Sequence, residues 1–121
     1  MNALVSIITP SYNSAKFIAE TIQSVQNQTY PNWEMIIVDD GSSDETECVV
    51  LSIIQNDNRI QFHKLNQNSG PAVARNTGIE KASGDYMTFI DADDIWFSTF
   101  IENNIKTIQE TGIPFVFSSY R

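Results

Sequence analysis

Apolar and polar positions follow two alternating patterns along the chain. Short β-branched runs, such as residues 4–9 and 33–38, are typical of buried strands. Between these runs, apolar residues recur at helical spacing, as at Ile18, Ile22 and Val25. The patterns predict strands and helices in turn, at residues 4–9, 14–27, 33–38, 42–54, 59–63, 70–83, 86–90, 99–112 and 113–117.

The strict alternation of strand and helix predicts an α/β fold. We expect an open, mostly parallel sheet with helices on both faces, as in half of a Rossmann-like sheet. Ser42 with Glu45 three positions later is a capping-box signature for the second helix. In the third helix we expect Val73 and Ile79 to face inward. Gly84 is predicted to take the left-handed conformation that often follows a helix.

Composition narrows the class of protein. The chain has 121 residues and a net charge of −8, from 15 acids and 7 bases. This charge argues against a nucleic-acid-binding module, which would present a basic face. Residues 1–4 contain no basic residue, so we expect no secretion signal. No apolar run approaches the roughly 20 residues that span a bilayer. We therefore predict one domain with no membrane span.

The chain has a single cysteine and a single histidine. With only Cys48, no disulfide can form within the chain, which fits a reducing compartment. We therefore expect a cytoplasmic location, at the inner face of the membrane if the chain is membrane-associated. Cys48 lies in an apolar run, so we expect a buried thiol, and His63 has no neighbour with which to bind a metal.

Three unusual segments follow predicted strands: residues 10–13, 39–43 and 91–94. In a parallel sheet the carboxyl ends of all strands lie at one edge, and ligands bind there where the strand order reverses. We therefore expect these three segments to meet in one cleft.

The expected cleft is strongly acidic and carries one aromatic ring. Clustered carboxylates repel one another unless a cation or hydrogen-bond donors compensate their charge. An oxygen-only site suits Mg²⁺, Mn²⁺ or Ca²⁺, and Mg²⁺ completes its shell with water and phosphates. Tyr12 could stack a base, which contributes about 1–3 kcal/mol. The pattern thus favours a metal bound together with a nucleotide diphosphate. The acids concerned are Asp39, Asp40, Asp91, Asp93 and Asp94.

Five motifs in order resemble the family 2 glycosyltransferases of GT-A type, over nearly the whole chain. They are residues 5–13 (VSIITPSYN), 28–34 (QTYPNWE), 37–44 (IVDDGSSD), 70–79 (GPAVARNTGI) and 84–94 (GDYMTFIDADD). The resemblance implies that residues 1–121 are the nucleotide-sugar-binding part of a GT-A domain, and we expect the chain to be truncated at its C-terminus.

The resemblance also implies roles for individual residues. Tyr12 would stack on the base and Asp40 would contact it, while Asp39 would support the ribose or the loop. Asp91-Ala92-Asp93 resembles the DXD motif, in which Asp93 ligates Mn²⁺ or Mg²⁺ and Asp91 holds the ribose or a metal-bound water. The resemblance adds three residues to the donor site: Pro10, which shapes the turn, Asn13, and Arg75, whose alternative is an ion pair with a site aspartate.

The implied reaction is an inverting, metal-dependent transfer of a sugar from a nucleotide-diphosphate donor, with UDP as the commonest nucleotide. The acceptor would be the hydroxyl of a glycan or lipid-linked glycan, in polysaccharide or cell-surface glycan synthesis. We expect the general base beyond Arg121, since the place of Asp94 beside the metal motif argues against it. The alternative is a non-catalytic fragment that binds the nucleotide sugar but lacks the acceptor half.

Two other α/β classes fit less well. A phosphoacceptor signalling domain would carry its acidic pair after the first strand, whereas the acids here follow the second and fourth. A nicotinamide-binding domain would show G-x-G-x-x-G after the first strand, and this sequence has none there.

Overall fold

All the strands of the computed structural model lie parallel in one open sheet. The structure describes residues 3–111 and the backbone of 117–118. The strands are β1 (Val5–Ser11), β2 (Trp33–Asp39), β3 (Ile60–Lys64), β4 (Tyr86–Phe89) and β5 (Phe117–Ser118). They are ordered β3-β2-β1-β4-β5. The predicted parallel sheet is confirmed, although residues 113–116 of the predicted fifth strand lie outside the described residues.

Helices cover both faces of this sheet, as predicted. They are α1 (Ile18–Gln26), α2 (Thr46–Ile54), α3 (Pro71–Lys81) and α4 (Phe100–Thr111). α1, α2 and α4 share one apolar core with alternate residues of β1 and β2, including Ile7 and Met35. α3 packs on the opposite face against Ile36 and Val38. None of these helices is long and apolar enough to cross a membrane.

α1 begins later than the sequence predicts. Its apolar stripe of Ile18, Ile22 and Val25 is fully buried, as predicted. The preceding residues form a turn instead of helix, in which the Ser14 carbonyl accepts the amides of Phe17 and Ile18, each at 2.9 Å. The apolar spacing therefore located the buried face correctly, but not the first turn.

The predicted capping box of α2 is wrong. The helix begins at Thr46, and its N-cap residue Glu45 makes no capping hydrogen bond with its side chain; the Thr46 amide donates instead to the Asp44 carboxylate at 3.0 Å. The Ser42 hydroxyl instead donates to Asp39 at 2.6 Å and accepts the Asn13 amide at 2.8 Å. Ser42 is thus used to close the loop after β2, so it is not available to α2.

The predicted inward face of α3 is also wrong. Val73 and Ile79 are exposed, and the buried residues are Ala74 and Gly78. A Cβ on Gly78 would lie 2.6 Å from Cγ2 of Ile8 in β1. α3 therefore lies so close to the sheet that only small side chains fit between them.

Gly84 does not take the predicted left-handed conformation. The glycines with positive φ among the described residues are Gly41 and Gly70. Gly84 is needed for a different reason, because a Cβ there would lie 2.6 Å from the Ser6 hydroxyl and 2.7 Å from the Leu4 carbonyl. It allows the chain to enter β4 directly against β1.

Cys48 is exposed, which contradicts the predicted buried thiol. Thr46 and Val50 are the buried residues of α2. Position 48 lies halfway between them, about 200° around the helix from each, and so on the opposite side of α2. The apolar run around Cys48 is therefore divided between a buried and a solvent-facing side.

Candidate functional site

The loops after β1, β2 and β4 meet around one cavity at the carboxyl edge of the sheet. β1 pairs with β2 on one side and with β4 on the other, so their ends are adjacent. The cavity measures about 320 Å³, which is within the usual range of roughly 300–1,000 Å³ for small-molecule sites. Its lining comprises Pro10, Ser11, Tyr12, Asp40, Asn68, Gly70, Pro71, Ala74, Arg75 and Asp91. The predicted convergence of the three segments is thus present in the structure.

Tyr12 is the aromatic residue of the cavity. Its side chain is half exposed, at 50%, even though it directly follows the buried end of β1. A phenol ring with one free face at a cavity is suited to stacking against a planar ligand. The structure therefore leaves Tyr12 available for the role that the sequence predicts.

Asp39 organises the loop after β2. It is fully buried, and its carboxylate accepts the Ser11 hydroxyl at 2.9 Å and the Ser42 amide at 2.8 Å, as well as the Ser42 hydroxyl. These donors stabilise the buried negative charge. Of the two roles predicted for Asp39, the structure shows its contacts with the loop.

Asp40 joins the β2 loop to the start of α3. Its carboxylate accepts the Ser69 amide at 2.7 Å and the Gly70 amide at 3.0 Å, and only 4% of the residue is exposed. Gly41 packs closely against the same segment, because a Cβ there would lie 3.0 Å from the Asn68 nitrogen. Asp40 thus fixes one wall of the cavity that it lines.

Asn13 holds the β1 loop against the β2 loop. It has a positive φ of 48°, which asparagine tolerates better than most residues. Its side-chain oxygen accepts the amides of Ser43 at 2.9 Å and Asp44 at 3.3 Å. Asn13 is not part of the cavity lining, and these contacts support the loop on which Tyr12 lies.

Arg75 lies on α3 and faces the cavity. Its guanidinium carbon is 5.9 Å from the centre of the Phe89 ring, and it forms no ion pair with a carboxylate of residues 3–111. The alternative of a structural ion pair is therefore not realised among the described residues. A cation at this position is available to an anionic ligand.

Three carboxylates come together in the loop after β4. One oxygen each from Asp91, Asp93 and Asp94 lies within 4.8 Å of the others, and this is the one such group of potential metal ligands in the described part of the chain. Asp91 and Asp93 are exposed, whereas Asp94 is buried. An all-oxygen set of this size fits Mg²⁺ or Mn²⁺. Because Asp91 also lines the cavity, a cation there would lie at its edge.

Ala92 anchors this acidic turn. Its side chain is buried, and its carbonyl accepts the Thr21 hydroxyl of α1 at 2.9 Å. The Asp94 amide donates to the Asp91 carbonyl at 3.0 Å and closes the turn. Ala92, predicted to be a donor-site residue, does not line the cavity. It attaches the turn to α1 through its carbonyl, while its neighbours present their carboxylates.

Sequence reasoning missed one wall of the cavity, and it assigned only two of the three grouped carboxylates to the metal. The wall consists of Asn68, Gly70, Pro71 and Ala74, from the end of the β3 connection and the start of α3. Because β3 pairs with β2, the segment after it reaches the same edge of the sheet, and this signal could have identified the wall. Asp94 was seen in the sequence but was not assigned to the metal group.

Comparison with known proteins gives a consistent family match. Residues 6–120 match the family described as Glycosyl transferase family 2. An Escherichia coli protein, UDP-Glc:alpha-D-GlcNAc-diphosphoundecaprenol beta-1,3-glucosyltransferase WfgD, is 43% identical over 117 residues, which make up 97% of this chain and 46% of that protein. This chain spans less than half the length of such curated relatives.

Solved structures show the same architecture. The crystal structure of S. aureus TarS 1–349 in complex with UDP superposes with a TM-score of 0.82 at 32% identity, over 88% of this chain and 32% of that one. A mannosyltransferase from Pyrobaculum calidifontis, in complex with GDP-Man and Mn²⁺, superposes with a TM-score of 0.83 at 27% identity. That match covers 89% of this chain and 33% of the mannosyltransferase. The fold is therefore of the GT-A type.

Proposed function

The chain belongs to glycosyl transferase family 2, and from this premise we propose that it forms the nucleotide-sugar-binding part of a metal-dependent glycosyltransferase. The observation that carries the proposal is the cavity in which Tyr12, Asp40 and Asp91 meet, with a group of three carboxylates at its edge. An exposed ring, a rim of carboxylates and an arginine with no ion pair among the described residues suit a base, a cation and a diphosphate, respectively.

We assign the base to the side of the cavity formed by Tyr12 and Asp40. The Tyr12 ring would stack on it. Each Asp40 oxygen accepts one backbone amide, and an ionised carboxylate has about four acceptor positions. Asp40 can therefore also accept an N–H from a pyrimidine ring. We propose UDP as the donor nucleotide, supported by the UDP complex of TarS and the UDP-Glc named for WfgD.

We assign the divalent cation, Mn²⁺ or Mg²⁺, to Asp93 with Asp91. When bound, the cation would offset the negative charge that develops on the leaving diphosphate. The chain's own part is to hold the carboxylates within reach of a common point and to provide Arg75 for the phosphates. The all-oxygen donor set supports this choice, as does the Mn²⁺ bound by the mannosyltransferase.

The transfer itself would be a single displacement with inversion. The bond from the anomeric carbon to the β-phosphate oxygen breaks as the acceptor hydroxyl forms a new bond on the opposite face of the sugar, and its proton passes to a base. We assign this base to none of the described residues and expect it beyond Arg121. The acceptor that we propose is a glycan or lipid-linked glycan at the inner face of the membrane, in line with the lipid-linked acceptor named for WfgD.

Calorimetric titration of the 121-residue chain tests the donor site directly. UDP, GDP and dTDP would each be titrated with Mn²⁺ and again with a chelator. We expect UDP to bind, and to bind at least about tenfold more tightly with Mn²⁺. Asp93→Asn should remove the difference that the metal makes, because it removes a charged ligand without changing its shape.

The matched control is Glu80→Gln, which changes the net charge by the same amount at an exposed position of α3 outside the cavity. It should bind UDP as the wild type does. Absence of binding for all three diphosphates would contradict the proposed function. Retention of the Mn²⁺ effect in Asp93→Asn would contradict only the assignment of the metal ligand.

A further inference from the structure

α1 carries a buried polar row beside its apolar stripe. Thr21 and Ser24 lie on the helix and Gln28 lies just beyond it, and their exposed fractions are 0%, 7% and 8%, respectively. The intervals of three and four residues place these side chains on one side of α1. Buried polar groups need hydrogen-bond partners, because an unpaired buried polar group loses the hydrogen bonds that it would make with water.

Each side chain of this polar row has a partner in one short segment, residues 92–101. Thr21 donates to the Ala92 carbonyl at 2.9 Å, and the Ser24 hydroxyl accepts the Trp96 amide at 3.3 Å. Gln28 is bonded twice to this segment: it donates to the carbonyl of residue 97 at 2.6 Å and accepts the amide of residue 101 at 3.0 Å. Each of these contacts joins a side chain of the row to a backbone group of the segment. Within the row, Ser24 also donates to the Thr21 carbonyl and Gln28 to the Ser24 carbonyl.

This segment has little regular structure of its own. Residues 91–99 connect β4 to α4 without forming helix or strand. Their side chains are alternately exposed and buried from Asp91 to Phe97, with Ala92 and Trp96 among the buried ones. Buried backbone groups outside helices and sheets must find other hydrogen-bond partners. Here the side chains of the polar row provide the partners that a neighbouring strand would provide in a sheet.

The contact of Thr21 has a particular consequence for the acidic turn. Ala92, whose carbonyl it holds, lies between Asp91 and Asp93. These carboxylates and that of Asp94 approach within 4.8 Å, and like charges at this distance repel one another. The bond from the Asp94 amide to the Asp91 carbonyl closes the turn against this repulsion, and the bond from Thr21 to the Ala92 carbonyl attaches the turn to α1.

We propose that Thr21 is a positioning residue, which holds Asp91 and Asp93 at the separation that a shared divalent cation requires. The inference rests on the proposed function, since it concerns the same cation. Thr21 does not line the cavity, and it acts only through the Ala92 carbonyl. Ser24 and Gln28 hold the chain further along, and Thr21 is the member of the row that contacts the acidic turn itself.

The test compares Thr21→Val, which removes the hydroxyl at nearly constant volume, with the wild type. UDP binding would be titrated at increasing Mn²⁺. We expect the half-saturating Mn²⁺ concentration to rise at least about tenfold, as is typical when a group that orients a metal ligand is lost. Binding of UDP in chelator should change less than about twofold, because the base is held elsewhere, and Thr21→Ser should restore the wild-type Mn²⁺ dependence.

Tyr30→Phe is the matched control. The Tyr30 hydroxyl is also buried and also donates to a backbone carbonyl, that of Ala3, but at the opposite edge of the sheet. Tyr30→Phe should lower the free energy of unfolding in urea, as Thr21→Val also does if losing a buried hydroxyl is destabilising in general. It should not change the Mn²⁺ titration. If Thr21→Val does not fold, Thr21→Ala removes the same hydroxyl without placing a new methyl group against the loop.

The outcomes separate the inference from the function on which it rests. A wild-type Mn²⁺ dependence in the Thr21 variants overturns the inference while the proposed function stands. An equal shift in Tyr30→Phe also overturns it, because the effect would then follow from stability alone. If the wild type itself shows no metal-dependent UDP binding, the proposed function is wrong and the inference fails with it.

Discussion

Two adjacent aspartates at the end of β2 have different roles in the loop that follows. Asp39 is bonded to Ser11 and Ser42 and closes its own loop, whereas Asp40 is bonded to Ser69 and Gly70 and holds the start of α3. Their hydrogen-bond donors stabilise both charges within the protein. Of the five aspartates expected at the cleft, these two therefore need no cation. The three that a cation would stabilise lie in the loop after β4.

Asp57 offers a test of charge at the residue scale, away from the cavity. Its carboxylate accepts two bonds from the Arg59 guanidinium, both at 3.1 Å, and Arg59 also lies 3.7 Å over the Trp33 ring. The hydrogen bond from Arg59, which outweighs the opposing effect of burial, holds the pKa of Asp57 below its usual range. Such a carboxylate stabilises the fold above its unfolded pKa, about 3.9, and loses this contribution as the pH falls through its folded pKa.

We predict that Asp57→Asn lowers the free energy of unfolding by about 1 kcal/mol at neutral pH, given the partial exposure of Arg59. The difference from the wild type should shrink as the pH falls below about 4, where the wild-type carboxylate is also neutralised. Urea unfolding across this range measures it, with Glu80→Gln as the control. A difference that stays constant with pH would show that the charge of Asp57 does not contribute.

At the scale of elements, α3 can pack closely against the sheet because Gly78 has no side chain. Gly78 lies over Ile8, and an added Cβ would lie 2.6 Å from the Cγ2 of this fully buried, β-branched residue. Alanine is favoured over glycine in a helix by about 1 kcal/mol, but overpacking a core costs about 1–3 kcal/mol. The steric cost should exceed the gain here, because Ile8 cannot turn away.

We therefore predict that Gly78→Ala destabilises the fold by about 1–2 kcal/mol in urea unfolding. In an Ile8→Ala background the same substitution should be neutral or stabilising, since the clashing carbons are gone. Asn76→Ala, at an exposed position of the same helix, measures the helix preference alone. Equal effects of Gly78→Ala in both backgrounds would contradict the close contact.

These elements also show what the sequence could and could not predict. The buried face of α1 was predicted because Ile and Val residues at helical spacing carry a clear apolar signal. That of α3 was not, since Ala74 and Gly78 carry almost none. The start of α2 was missed for another reason: Ser42 has partners across the fold, such as the Asn13 amide, 29 residues away in the chain. Spacing alone cannot predict contacts of this kind.

At the scale of the whole molecule, the cleft lies where the strand order of the sheet reverses, between β1 and β4. From β1 the chain proceeds to β2 and β3 on one side, and it returns to β4 on the other. The loops at such a point diverge and leave a crevice. The sequence predicted this part of the site well, because strand order alone brings Tyr12, Asp40 and Asp91 together. The wall from α3 depends on how the β3 connection folds, and strand order does not specify it.

Tyr12 and the acidic group are different parts of the cleft, so we expect them to contribute separately to the binding of UDP. Tyr12→Ala should weaken UDP and uridine by a similar factor, about tenfold or more, because base stacking contributes about 1–3 kcal/mol. The ratio of UDP affinities with and without Mn²⁺ should not change, since the acidic group is not altered. Calorimetry with both ligands measures this. Phe17→Ala is the control, as Phe17 is a similarly exposed aromatic residue that does not line the cavity.

Tyr12→Phe should bind as the wild type does, because the ring is kept. A loss of Mn²⁺ dependence in Tyr12→Ala, comparable to that expected for Asp93→Asn, would mean that base and metal are not held at separate ends of one cleft. The assignment of Tyr12 to the base would then be wrong.

The burial of Trp96 gives the protein an optical reporter of its own. The indole is 4% exposed and stacks on Phe100 with the ring centres 4.4 Å apart, and it follows the acidic turn directly along the chain. The only other tryptophan, Trp33, lies under Arg59 at the beginning of β2, at the far edge of the sheet. Fluorescence of a chain that keeps Trp96 alone would therefore follow the loop after β4 without any attached dye, and its emission would register how firmly α1 holds that loop.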